Sequence, residues 1–259
     1  MSDVLQAVDL SVTYGGVRAV SGANLTVPEG SLVALIGPNG AGKTSFVDAV
    51  TGFTPSTGRV WLDGRDVSSL RPHARARHGL ARTWQSIELF DDLTVKENLA
   101  VASSHTSVWA SFKEIITRPQ NDFAAALDVL SRFGLEGCAD AMPSELAEGQ
   151  RKLVGVARAL VGKPKIVCLD EPAAGLNTEE SAELGRQLRE VVDDGIAMLL
   201  IDHDMGLVMG ISDHVYVLDF GSVIADGTPD EVRRHPKVVA AYLGGGDEAA
   251  ADMDKEALL

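Results

Sequence analysis

The chain has 259 residues, 45% hydrophobic and 23% charged, which supports one large α/β domain carrying a subdomain. Its formal charge of −14 excludes nucleic acid as the main partner, because phosphate backbones are met by a basic face. Two distant cysteines, Cys138 and Cys168, exclude a disulfide framework and suit a reducing compartment.

In chain order, the alternation in LQAVDLSVTY and VRAVSGANLTV, closed by the turn Pro28-Glu29-Gly30, predicts an antiparallel β start. Ser31 to Ile36 reads as a short apolar strand, and Lys43 to Thr51 as a helix stopped by Gly52 and Pro55. Gly58 to Leu62 is a further strand with a turn at Asp63-Gly64, and Leu80 to Thr83 is strand-like. From Thr94 the period becomes helical (Ala126, Leu127, Leu130, Phe133), with Pro119 dividing at least two helices. Residues 94–162 are therefore expected to be an inserted helical subdomain, ending in a helix from Gln150. Strands Ile166–Asp170 and Ala197–Ile201 flank an amphipathic helix, Thr178 to Val192, which is a βαβ pattern and implies a parallel sheet. Val215–Leu218 and Val223–Ala225 form a hairpin around Phe220-Gly221. The expected domain is 1–243. Residues 244–259, with five acids against Lys255 and little to bury, are expected to be a disordered acidic tail. No window approaches the ~18 apolar residues of a membrane span, and MSDVLQAVDL has no signal-peptide pattern, so any membrane association is expected to be peripheral.

GPNGAGKT, Gly37 to Thr44, follows a strand and opens a helix, the context of a phosphate-binding loop. Glycines 37, 40 and 42 let backbone N–H groups curl around phosphate oxygens. Lys43 adds a charge for the β/γ-phosphates, Thr44 offers a hydroxyl to Mg²⁺, and the helix N-terminus adds positive potential. KIVCLDEP is an apolar strand ending in two carboxylates. Asp170 is placed to hold Mg²⁺ through water, and Glu171, pointing differently, to deprotonate an attacking water. LAEGQ, Leu146 to Gln150, puts Gly149 at a helix start and offers a second anion site. Taken alone, the segment reads first as an ordinary cap by Glu148. The following helix would run ~18 Å and feed the Ile166–Asp170 strand, expected beside the strand that leads to Gly37. The LAEGQ site should then face away from its own phosphate loop and serve the ATP of a second copy. Singly, Gln85 and His203 read as a Mg²⁺ or water ligand and a γ-phosphate contact, or as plain surface or core polar residues. Tyr14 reads as an adenine platform or as packing.

The ordered set Tyr14, GPNGAGKT, Gln85, LAEGQ, CLDEP and His203 resembles the nucleotide-binding subunit of ABC (ATP-binding cassette) transporters, over about Leu5 to Leu243. RTWQSIELFDDLTVKENL, DEPAAGLN, DHDMGLVMGISDHVYVLDFG and DGTPDEV resemble more narrowly the LivG-type ATPase of branched-chain amino-acid importers, a pattern that urea and amide importers largely share. The resemblance implies a P-loop NTPase cassette of α/β class, with a mixed parallel core sheet, an N-terminal antiparallel β subdomain and the helical insert. It implies that Tyr14 stacks on adenine and that Gly37, Asn39, Gly40, Ala41, Gly42, Lys43, Thr44 and Ser45 cradle the phosphates. Thr44, Gln85 and Asp170 would serve Mg²⁺, Glu171 would be the general base and His203 the γ-phosphate sensor. Ala147, Glu148, Gly149 and Gln150 would face the ATP of a partner cassette, and Ala174 to Asn177 would be the D-loop between the two. Two membrane permease subunits, with coupling helices on the helical insert, and an extracytoplasmic solute-binding protein are the further implied partners, at the cytoplasmic face of the membrane. There are two departures. The family's LSGGQ has Ala147 for Ser and Glu148 for the first Gly, which removes a hydroxyl contact to the γ-phosphate. The D-loop's usual Asp is Asn177. A channel-free ABC protein acting on ribosomes or DNA would carry two cassettes or a long coiled insert, and this chain has neither. A P-loop kinase would leave LAEGQ and His203 without a role.

Overall fold

The computed structural model describes residues 2–84, 89–103 and 123–244. The expectations for Gln85, Pro119 and the segment past Gly244 lie outside them.

The antiparallel start is β1 (Asp3–Tyr14) and β2 (Val17–Pro28), turned at Gly15-Gly16. β4 (Thr57–Leu62) pairs with β1, and the short β5 (Arg65–Asp66) returns across Asp63-Gly64, giving the order β2-β1-β4-β5. The second sheet holds β3 (Leu32–Ile36), β6 (Leu80–Arg82), β7 (Ile166–Asp170), β8 (Ala197–Ile201), β9 (His214–Asp219) and β10 (Ser222–Gly227). Its order is β10-β9-β3-β8-β7-β6, with β10 antiparallel and the others parallel.

This order corrects one expectation. β7 does not lie beside β3. β8 stands between them, with Leu199 opposite both Val33 and Cys168. A crossover helix can carry the chain past a vacant strand position that a later strand fills, so sequence order does not give pairing order. The consequence is functional. With one strand interposed, β3 and β7 are roughly 10 Å apart, so their loops stand on either side of a gap.

β3, β7 and β8 are apolar at every position but Asp170 because both faces of the sheet are covered. Val33, Leu35, Ile166, Cys168, Ala197, Leu199 and Ile201 share a core with the antiparallel sheet and with Phe46 and Val50 of α1 (Lys43–Thr51). The alternate residues Ala34, Ile36, Val167, Leu169, Met198 and Leu200 pack with helices on the other face. There, α3 (Val95–Ser103), α4 (Ala124–Arg132) and α5 (Glu148–Leu160) meet through Leu99, Ala126, Leu130 and Val154, and no strand interrupts them among the described residues. α6 (Thr178–Asp193) buries Leu184, Leu188, Val191 and Val192 against the same core. α7 (Met205–Ile211), α8 (Pro229–Arg233) and α9 (Pro236–Gly244) complete it. Cys168 is core filler, and burial pushes its thiol up to about 12.

α1 carries the candidate phosphate loop at its N-terminus, and its other end is anchored by a buried arginine. Arg75, on α2 (Pro72–Arg77), is 3% exposed and donates to the carbonyls of Ala49 and Val50 at the end of α1. It also donates to those of Ser68 and Leu70. The carbonyl end of the helix dipole favours a cation at that point. Arg75→Met keeps the bulk but strands buried acceptors, so stability should fall by about 3 kcal/mol. Urea denaturation measures the loss. A change under about 0.5 kcal/mol would mean that water satisfies these carbonyls.

Candidate nucleotide site

The phosphate loop is built by close backbone approach. A side chain on Gly37 would place its Cβ 2.0 Å from the Leu218 carbonyl oxygen, and one on Gly42 would lie 2.2 Å from that of Ala19, so only glycine fits at either position. Gly42, at φ 106, caps α1, whose first turn holds no acid to oppose an incoming anion. Gly221 N donates to Ala41 O at 2.8 Å, tying the β9–β10 turn to the loop. Tyr242 of α9 is buried, and burial raises the pKa of its hydroxyl, with the Gly37 backbone opposing the shift.

Lys43 Nζ donates to the Gly37 and Pro38 carbonyls at 2.6 and 3.1 Å. Burial lowers its pKa, and the charges of Glu171 and Asp170 oppose that shift. The ammonium therefore has both carboxylates within its field, which makes the loops after β3 and β7 one candidate site. Asn39, Gly40 and Thr44 are exposed on the loop rim, and Ser45 is partly buried behind them.

Asp170 ends β7 and is 5% exposed. Its N–H donates to Thr83 Oγ1 at 3.1 Å, and its Oδ2 lies 3.2 Å from Arg82 Nη2. Burial raises its pKa, and Arg82 pulls it back down. Arg82 bonds through Nη1 to Asp48 of α1 at 2.5 Å and lies over the Trp84 ring, 4.3 Å from its centroid. One guanidinium thus links the phosphate-loop helix, β6 and β7 at the residue where the segment to Gln85 begins. Arg82 is not among the residues predicted for the site, and its one signal in the sequence is a cation inside an otherwise strand-like LARTW. Glu171 has φ 50, and its N–H donates to Ile201 O at 2.7 Å. That left-handed turn separates its direction from that of Asp170.

His203 follows β8 with 70% of its side chain exposed, and its N–H donates to Asp202 Oδ1 at 2.7 Å. Tyr14 ends β1, 46% exposed, and its hydroxyl accepts from Thr54 Oγ1 at 3.1 Å, which leaves ring surface open. Gln85 lies outside the described residues.

The LAEGQ segment is placed differently from a plain cap. The N-cap of α5 is Ala147, not Glu148, and Gln150 Oε1 accepts the Ala147 N–H at 3.0 Å. Gln150 Nε2 also lies 3.6 Å from Cys138 Sγ, so this side chain is engaged within its own chain. The segment packs against 174–176. A Cβ on Gly149 would lie 2.9 Å from Leu176 Cδ2, and Lys152 Nζ donates to the Ala174 carbonyl. Asn177 accepts from Glu180 N at 3.0 Å and caps α6, which satisfies the position where the family's D-loop has Asp.

The ABC transporter family matches residues 20–174. A shorter one, the branched-chain amino acid ATP-binding cassette transporter, matches 222–248. The high-affinity branched-chain amino acid transport ATP-binding protein BraF of Pseudomonas aeruginosa is 41% identical, over 93% of this chain and 98% of its own length. Its counterpart LivG of Salmonella typhimurium is 42% identical, over 94% of this chain and 99% of its own. Among solved structures, the ADP conformation of an ATP-binding cassette of an ABC transporter superposes with TM-score 0.83 at 30% identity, covering 94% of this chain and all of that one. The chain belongs to the ABC transporter family, as an ATP-binding subunit that hydrolyses ATP.

Proposed function

We propose that this subunit powers import of branched-chain amino acids. The observation that carries the solute is double: BraF and LivG bear that substrate in their names, and the match at 222–248 lies outside the general cassette. In this reading the loop 37–45 holds the phosphates of ATP, and Lys43 exchanges its two carbonyl partners for β/γ-phosphate oxygens. The oxygen donors fit Mg²⁺, which prefers one or two carboxylates with substrate phosphates. Thr44 and, through water, Asp170 would hold the ion, with Gln85 as the further ligand. When bound, Mg²⁺ would supply charge neutralisation at the phosphates. Glu171 takes the proton of the attacking water, and His203 contacts the γ-phosphate. Catalysis is then positioning and charge stabilisation of an in-line displacement.

Ala147 to Gln150 would serve the nucleotide of a second cassette, whose own segment would close this site. No helix among the described residues is long and apolar enough to cross a membrane. The channel would come from two permease subunits, with the cassettes on the cytoplasmic face and a solute-binding protein delivering outside. Deleting the gene should remove most ATP-driven uptake of radiolabelled leucine, isoleucine and valine, with restoration by the intact gene. Full leucine uptake in the deletion strain, with loss of urea or amide uptake, would transfer the reading to those importers.

A further inference from the structure

The turn that bears His203 is fastened to both ends of one segment, residues 173–181, by the two carboxylates flanking the histidine. Asp202 is 2% exposed. Its Oδ1 accepts His203 N at 2.7 Å and Asp204 N at 3.0 Å, and its Oδ2 accepts Ala173 N at 3.1 Å. Asp204 caps α7 through Leu207 N at 3.0 Å, and its other oxygen accepts Ser181 Oγ at 2.6 Å. Between Ala173 and Ser181 lie Ala174 to Asn177, the stretch that Lys152 and Leu176 join to α5. Three N–H donors converge on the Asp202 carboxylate, and charge-assisted bonds of this type are roughly twice as strong as neutral ones. An amide cannot replace it, because its NH₂ would face an N–H donor.

We propose that Asp202 and Asp204 are positioning residues that clamp the His203 turn to segment 173–181, so that nucleotide contact at His203 and the placement of Ala174–Asn177 move as one unit. The clamp rests on the reading of His203 as the γ-phosphate contact. It gives a path within one chain: phosphate at the exposed histidine fixes the turn, the turn fixes Ala173 and Ser181, and these fix the D-loop. Glu171 is drawn in as well, through its N–H on Ile201 O one residue before Asp202.

The test is hydrogen–deuterium exchange of the full chain with and without Mg-AMPPNP, on wild type, Asp202→Asn and Ser181→Ala. Wild type should gain protection at both 37–45 and 173–181. Asp202→Asn should keep the gain at 37–45 and lose it at 173–181. Its KM for ATP should stay within about twofold while kcat falls about ten- to a hundredfold, as expected for a misplaced group outside the binding loop. Ser181→Ala removes one hydroxyl, and it carries the test should Asp202→Asn fail to fold. The same loss at 173–181, smaller in extent, is expected for it. Protection at 173–181 that is unchanged in both variants, or absent in wild type while 37–45 is protected, would overturn the clamp. No protection at 37–45 in wild type would overturn the nucleotide reading on which it stands.

Discussion

Glu171→Gln should bind ATP with near-wild-type affinity, hydrolyse it about 10²–10⁴-fold more slowly, and accumulate an ATP-bound dimer. The substitution is isosteric, and the backbone that aims the side chain is held by other means. The left-handed φ of 50 and the bond from Glu171 N to Ile201 O persist with glutamine. Asp170 and Lys43 are untouched, so the charges proposed to meet metal and phosphate stay in place, as does the Arg82 partner of Asp170. The acceptor for the water's proton is lost. Lys43 also loses one of the two carboxylates in its field, which should if anything favour a bound anion. Single-turnover hydrolysis separates the chemical step from binding, and gel filtration with ATP reads the dimer. Turnover within about tenfold of wild type would assign water activation to another residue.

Much of this candidate site is legible in the sequence because its parts are local. A glycine loop between a strand and a helix, or two carboxylates ending an apolar strand, occupy a few consecutive residues whose spacing carries the chemistry. β7 and β8 were bounded to the residue because strands buried on both faces leave uninterrupted apolar runs. What escaped the sequence is long-range. No residue in β7 announces that β8 will lie between it and β3. Arg82 joins Asp48 and Asp170 across separations of 34 and 88 residues, and its strand alone does not name its partners. Arg75 stands between Arg71 and Arg77, which look the same in the sequence. Asp202 sits beside His203, yet its importance lies in Ala173 N, a backbone atom with no sequence signal. The LAEGQ segment was the reverse case. Its glycine was legible, and its docking on Leu176 and Ala174 was not.

Lys43→Ala should weaken ATP binding by about 10²-fold or more, the loss of two charge-assisted hydrogen bonds. In the free chain Lys43 also braces the loop through the Gly37 and Pro38 carbonyls. Lys43→Met, with a long uncharged side chain, therefore separates charge from bulk, and an equal loss in both variants assigns the effect to charge. Equilibrium titration with a fluorescent ATP analogue measures it, and unchanged affinity would remove Lys43 from the phosphate site. The same variant then probes the second cassette. Mixed with Gly149→Asp, it gives a dimer in which one composite site pairs an intact loop with an intact 147–150 segment, and the other pairs the two altered halves. The carboxylate at 149 would repel a partner's γ-phosphate while leaving its own loop free, provided the end of Leu176, 2.9 Å from the new Cβ, turns aside. ATPase recovery in the mixture above the sum of the separate variants is the expected result. Lost ATP binding by Gly149→Asp alone would place that segment in its own chain's site. Normal binding by Gly149→Asp without recovery in the mixture would remove the 147–150 segment from the partner's site.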